Sequence, residues 1–134
     1  MFKGFTLIEL IIVVVVIGIL VAFASPQFAV TRERALDREA RAAIALIQAA
    51  EKIYRMEEGL YYPSPSGTET SIPNINNLLR LDLPTDATGW VYSVNSSAQQ
   101  ATARRNKPGG RAYSIPFNSD TITCAGTASD PCPP

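Results

Sequence analysis

Gly4-Phe5-Thr6-Leu7-Ile8-Glu9-Leu10 opens into an apolar run that carries no charge from Leu10 to Ala24. One carboxylate, Glu9, stands at its mouth, and Lys3 is the only basic residue before Arg32. A charge at the centre of a membrane helix costs about 2.5–3.5 kcal/mol on insertion scales, and less near an end. No basic group nearby in the chain answers Glu9, so its partner is expected to come from elsewhere.

From Phe5 to Thr31 Glu9 is the only charge. As a helix that stretch reaches about 40 Å, enough for a hydrocarbon core of ~30 Å. Its β-branched run, Ile11 to Ile17, suits helix poorly in water. In lipid a single segment has no other way to satisfy its backbone. Pro26 lacks an N–H and predicts a kink at Ser25-Pro26. Gly18 is either a loosening or close-packing point or a tolerated small residue. Lys3 favours an N-terminus inside the cell, against a flank of mixed sign from Arg32 to Arg41.

Lys3-Gly4-Phe5-Thr6-Leu7-Ile8-Glu9 with its apolar tail resembles the class III signal of type IV pilins and of the pseudopilins of type II secretion. The resemblance implies a leader of residues 1–4, cleavage by a prepilin peptidase between Gly4 and Phe5, and N-methylation of Phe5. It implies that Glu9 meets the Phe5 amine of a neighbouring subunit during assembly, and that Gly18 and Pro26 are the helix-kinking positions. The likeness is specific from Lys3 to about Pro26, looser to Gly59 and architectural beyond.

An ordinary secretory signal cut after Ala24 is the rival reading, since Lys3, the apolar stretch and Ala22-Phe23-Ala24 fit it. Three features oppose it: the carboxylate heading the run, the Gly4-Phe5 junction, and a helical pattern that continues past Ala24.

At 134 residues the chain is one domain's worth. Its 12 basic and 12 acidic residues balance, which gives no bulk charge for holding nucleic acid. The absence of histidine excludes imidazole catalysis and histidine-ligated metals. Cys124 and Cys132 are the only cysteines. They are too few for a structural zinc site, so a disulfide in an oxidising compartment is expected.

Residues 27–58 read as one amphipathic helix. Leu36, Ala40, Ala43, Ile47, Ala50 and Tyr54 form a core stripe, and a flanking row of Leu46, Ile53 and Met56 is expected to widen it toward Leu60. Arg34, Arg38, Arg41, Glu51 and Arg55 are placed on the opposite face, where Arg34/Asp37, Asp37/Arg41 and Glu51/Arg55 can pair. Gly59 supplies a left-handed stop. Pro63, Pro65, Gly67, Pro73 and Pro84 keep the next segment irregular, apart from a short helix over Asn74 to Arg80 with Leu78, Leu79, Leu81 and Leu83 inward. Strands are expected at Trp90 to Val94, Ala98 to Arg105, Arg111 to Phe117 and Thr121 to Cys124, with Pro116 at an edge or an end.

Arg104, Arg105, Lys107 and Arg111 gather at one turn. With Tyr113 as the only adjacent aromatic they read as a solvated hairpin, not a nucleic-acid contact. Asn95-Ser96-Ser97 matches a glycosylation sequon of the kind that arises by chance. No nucleophile–base pair, phosphate loop or dense oxygen-ligand loop is written, so no enzyme, cofactor or metal is expected.

The fold expected is α+β and pilin-like: a long kinked helix whose second half packs on a small antiparallel sheet of three or four strands. Residues 5–31 form the transmembrane or filament-core segment. Residues 32–134 form a periplasmic or extracellular head, with helix 32–58, loop 59–89, and sheet and disulfide loop 90–134. The function expected is a type IV pilus subunit, with a type II secretion pseudopilin as the alternative. Its partners are other copies of itself, the prepilin peptidase and the inner-membrane assembly machinery. It starts in the bacterial inner membrane and ends in a surface pilus or periplasmic pseudopilus.

Overall fold

The computed structural model describes residues 4–85 and 89–133. Two compact units make up the chain, Met1–Ala35 and Leu36–Pro134. The first helix, α1 (Leu7–Glu58), contributes to both.

In the first unit α1 is assigned without a break through Gly18 and Pro26. The kink expected at Pro26 falls on residues 23–27, whose side chains lie outside the described ones. A methyl group added at Gly18 would meet nothing within 4 Å, so packing inside this chain does not require glycine there. The large apolar side chains from Phe5 to Val21 stand in the open, from 48% exposed at Val13 to 80% at Phe5. Among the described residues no helix is long and apolar enough to cross a membrane.

In the second unit the expected stripe is the core-facing side of α1. Ala40, Ala43, Ile47 and Ala50 are buried, and Leu36 and Tyr54 half-buried. Ile44, outside the expected stripe, is fully buried as well. The widening toward Leu60 goes the other way. Leu46, Ile53 and Met56 are 49%, 53% and 78% exposed, because the sheet covers the side of Ile44 and Ile47. Gly59 ends the helix as expected, at φ +79° with its N–H donating to the Arg55 carbonyl at 2.9 Å.

A two-residue strand, β1 (Thr68–Glu69), and a helix, α2 (Ile72–Leu79), interrupt the segment expected to be a loop. The helix begins two residues earlier than its pattern suggested, since Pro73 suits a first turn. Asn76 fastens its far end: the side chain donates to the Leu83 carbonyl at 2.8 Å and accepts from the Leu83 N–H at 2.9 Å. Leu79 and Leu83 are buried, whereas Leu78 points outward at 46% exposure. The peptide bonds before Pro63 and Pro65 are cis.

Four further strands form the expected meander: β2 (Trp90–Asn95), β3 (Gln100–Arg105), β4 (Ala112–Pro116) and β5 (Thr123–Ala125). With β1 on the far edge the order is β1-β2-β3-β4-β5, antiparallel throughout. Period-two alternation sends Trp90, Tyr92, Val94, Ala101, Ala103, Tyr113 and Ile115 into the core. Ala103 pairs with both Tyr92 and Tyr113, and Ala101 with both Val94 and Ile115. The small central residues leave room between the large ones for the helix face. Pro116 closes β4 past the last residue that β5 pairs, so its missing donor costs the ladder nothing there. Cys124 and Cys132 form the expected disulfide.

Candidate assembly site

The N-terminus is built from Phe5, Thr6 and Glu9. Thr6 precedes the first helical residue, and Glu9 is the third residue of α1. The Thr6 backbone N–H donates to Glu9 Oε2 at 2.9 Å and the Thr6 hydroxyl donates to the same oxygen at 2.7 Å. In return the Glu9 N–H donates to the Thr6 Oγ1 at 3.3 Å. This is a capping box, in which Thr and Glu three residues apart satisfy helix-end donors reciprocally. The carboxylate expected to lack a local partner therefore has one. Thr-x-x-Glu is legible at the head of the apolar run, and it answers the carboxylate with a hydroxyl and an N–H instead of a cation.

Both bonds fall on Oε2, and the Glu9 residue as a whole is exposed, as is Phe5. Gly4 and Phe5, the expected cleavage pair, precede the helix in an exposed, non-helical stretch. A peptidase needs a reachable backbone outside regular structure, and these two residues offer one.

The head contains a second charged constellation, of a different kind. Arg111, expected in a solvated hairpin, is buried. Its Nε and Nη2 donate to Asp37 Oδ1 of α1 at 3.0 and 2.6 Å. Its backbone N–H donates to Asp130 Oδ2 at 2.8 Å, and Nη1 binds Asp130 Oδ1. Lys107 reaches the same Asp130 oxygen at 3.1 Å. Burial raises the Asp130 carboxyl, but the Arg111 N–H, Lys107 and the Arg111 guanidinium outweigh it and hold the group below the usual carboxylate range. Arg105 lies over the Trp90 ring at 5.5 Å and donates to the Gly89 carbonyl at 3.0 Å. Of the four basic residues at this turn, Arg104 and Lys107 are left exposed.

The expected Glu51/Arg55 pair dissolves. Glu51 is fully buried instead of lying on the polar face, and its Oε2 accepts the Tyr62 N–H at 2.9 Å. Arg55 turns to Tyr61, donating to its hydroxyl at 2.8 Å. Asn95 uses both ends of its amide, donating to Thr68 Oγ1 at 2.9 Å and accepting the Ala98 N–H at 2.7 Å, so the sequon is a turn device here.

The prokaryotic N-terminal methylation motif matches residues 1–25. The chain is 31% identical over 74 residues to type II secretion system core protein G of Vibrio cholerae, covering 55% of this chain and 51% of that one. It is 42% identical over 59 residues to the type IV major pilin protein PilA of Myxococcus xanthus, covering 44% and 27%. It is 40% identical over 75 residues to the type IV narrow pilus major component PilA5 of Thermus thermophilus, covering 52% and 65%. The chain thus spans from about a quarter to about two thirds of the lengths of these relatives. No solved structure matches it. The chain carries the prokaryotic N-terminal methylation motif and is similar, over about half its length, to type IV pilins and to a type II secretion core protein.

Proposed function

We propose that the chain is a structural subunit of a type IV pilus, stored in the inner membrane as a prepilin and drawn from there into a helical filament. The observation that carries the reading is the exposed apolar helix from Leu7, entered through Glu9. In the bilayer the helix faces lipid tails, and in a filament it faces the same helix of other copies. Both surroundings are apolar, so extraction has little hydrophobic free energy to lose. Residues 5–31 are the segment that makes this exchange.

Glu9 supplies direction. Cleavage between Gly4 and Phe5 creates an ammonium at Phe5, which the family's peptidase methylates. One Glu9 oxygen caps its own helix through Thr6, and the other is free to take that ammonium from an adjoining copy. Within one helix the two groups lie about 6 Å apart along the axis, so the match between copies needs an axial stagger, which a filament provides.

Mass spectrometry of the mature N-terminus tests the reading. A chain beginning at methylated Phe5 supports it, and one beginning at Ser25 replaces it with a secreted protein. The second reading, a pseudopilin of type II secretion, rests on the likeness to core protein G of Vibrio cholerae. Cells lacking the gene separate the two: lost surface fibres mark a pilus subunit, and lost secretion with fibres intact marks a pseudopilin.

A further inference from the structure

The exposed row Leu46, Ile53 and Met56 continues with Ala42 and Ala49, also exposed, on the same side of α1. Read in order, 42, 46, 49, 53 and 56 step by four and three alternately. That is the spacing of a two-helix seam, in which apolar positions recur every 3.5 residues. A core-facing helix of a globular head shows a broader stripe, and α1 already has one on its other side, through Ala40, Ile44 and Ile47. The second half of the helix thus carries two apolar faces, one spent on its own sheet and one that stands exposed among the described residues. The open seam is about 21 Å long.

Charge at its edges selects the occupant. Lys52 directly precedes Ile53 on one flank, and Glu57 follows Met56 on the other. When two such helices lie parallel, the basic flank of one copy faces the acidic flank of the next, with Lys52 opposite Glu57. Antiparallel, the Lys52 flank meets the same flank of the other copy, where residues 45 and 52 are alanine and lysine and no acidic group answers it. Flank charges of this kind set orientation in helix pairs. Within one chain Lys52 meets Asp120 at 3.2 Å and Glu57 meets Arg80 at 3.7 Å, both exposed pairs that exchange readily.

We infer that residues 42–56 form a parallel, in-register docking surface for the same residues of a second copy while the subunit is still in the membrane. The inference rests on membrane storage as proposed above. Copies anchored by one segment share orientation and depth, so parallel, in-register pairing is the arrangement the bilayer imposes. Confinement raises effective concentration enough for a short seam to suffice. Small Ala42 and Ala49 let the backbones approach, while Leu46, Ile53 and Met56 supply the buried area. The contact differs from the staggered one between Phe5 and Glu9, so it belongs to the store of subunits and not to the fibre.

The test uses full-length protein in membranes of cells carrying Glu9→Ala, which blocks fibres by the argument above. Ala49→Cys is expected to give disulfide-linked dimers under mild oxidation, and Ser97→Cys, on an exposed turn elsewhere, is expected to give none. Lys52→Glu and Glu57→Lys are each expected to lower the Ala49→Cys dimer yield several-fold, and the two together to restore it. The pair with Asp120 would not be restored by that swap, so rescue separates the seam from a merely structural role. Equal yields at positions 49 and 97, or no rescue in the double variant, would overturn the inference. Failure of the fibre reading shows separately, as normal filaments from Glu9→Ala.

Discussion

Arg111 and Asp37 stand 74 positions apart, yet two guanidinium nitrogens of Arg111 share one oxygen of Asp37 at 3.0 and 2.6 Å inside the head. With Asp130 on its other side, the guanidinium joins α1, the start of β4 and the C-terminal loop. The arrangement matters because each member is buried, and a buried ion stripped of its partner costs far more than an exposed pair contributes. Asp37→Ala is therefore expected to destabilise the head by about 3–5 kcal/mol, measured by urea denaturation. Arg38→Ala, one residue on and exposed, is expected to change stability by less than about 0.5 kcal/mol. Equal effects would mean that the buried pair is not what holds the loop.

The disulfide works through the same ion cluster. Cys124 and Cys132 enclose the segment that contains Asp130, and Gly126 lies so close to Cys132 that an added Cβ would sit 2.6 Å from its backbone nitrogen. A loop this short contributes roughly 2–3 kcal/mol by restricting the unfolded chain. Cys124→Ser with Cys132→Ser is expected to lose about that much. The loss should shrink in an Asp130→Asn background, because the loop then no longer presents a charge to Arg111. Additive losses in the double-mutant cycle would show that loop closure and the ion cluster act independently.

Glu51 predicts an unusual pH dependence. Its carboxylate is fully buried and burial pushes the carboxyl up to about 7, the Tyr62 N–H only partly offsetting this. A raised acid binds its proton more tightly in the folded head than in the unfolded chain. Stability is then greatest below the unfolded value, near 4.5, and falls as pH rises through about 7. The expected loss between pH 5 and pH 8 is on the order of 3 kcal/mol from this group. Glu51→Gln keeps an acceptor for Tyr62 and should flatten the curve, leaving the variant more stable than the parent at pH 8. A parent that gains stability over that range would contradict the assignment.

Much of this head was legible as pattern. The stripe from Ala40 to Ala50, the glycine stop at Gly59 and the strands from Trp90 onward follow from periodicity and turn residues, which act over a few positions. The polar interior was not. Asp37 and Glu51 lie on turns of α1 that local pairing made look solvated, and nothing in their neighbourhood announces Arg111 or Tyr62. Contacts made across 74 residues leave no local spacing to read. The row at Leu46, Ile53 and Met56 failed for another reason: an apolar residue beside a core stripe serves an interior or an interface equally well, and only the position of the sheet decides between them.

Thr6 and Glu9 lead to the last prediction, because the capping box is a task of Glu9 distinct from the assembly role proposed for it, and mutation can separate the two. Thr6→Ala removes the hydroxyl that bonds the carboxylate at 2.7 Å but leaves the Thr6 N–H contact and the charge. A lost cap costs about 1 kcal/mol, felt as fraying of the first turn. Glu9→Ala removes cap and charge together. In a poorly solvated fibre core the stranded Phe5 ammonium would then cost about 3–5 kcal/mol per subunit. Both variants are expected to insert and to be cleaved, since neither alters Gly4 or Phe5. Filament yield by electron microscopy should fall modestly for Thr6→Ala and nearly to nothing for Glu9→Ala. Glu9→Gln discriminates further, because it can still accept the Thr6 bonds but carries no charge. If Glu9→Gln assembles as well as the parent, the carboxylate serves only its own helix end, and the charge match between copies has to be given up.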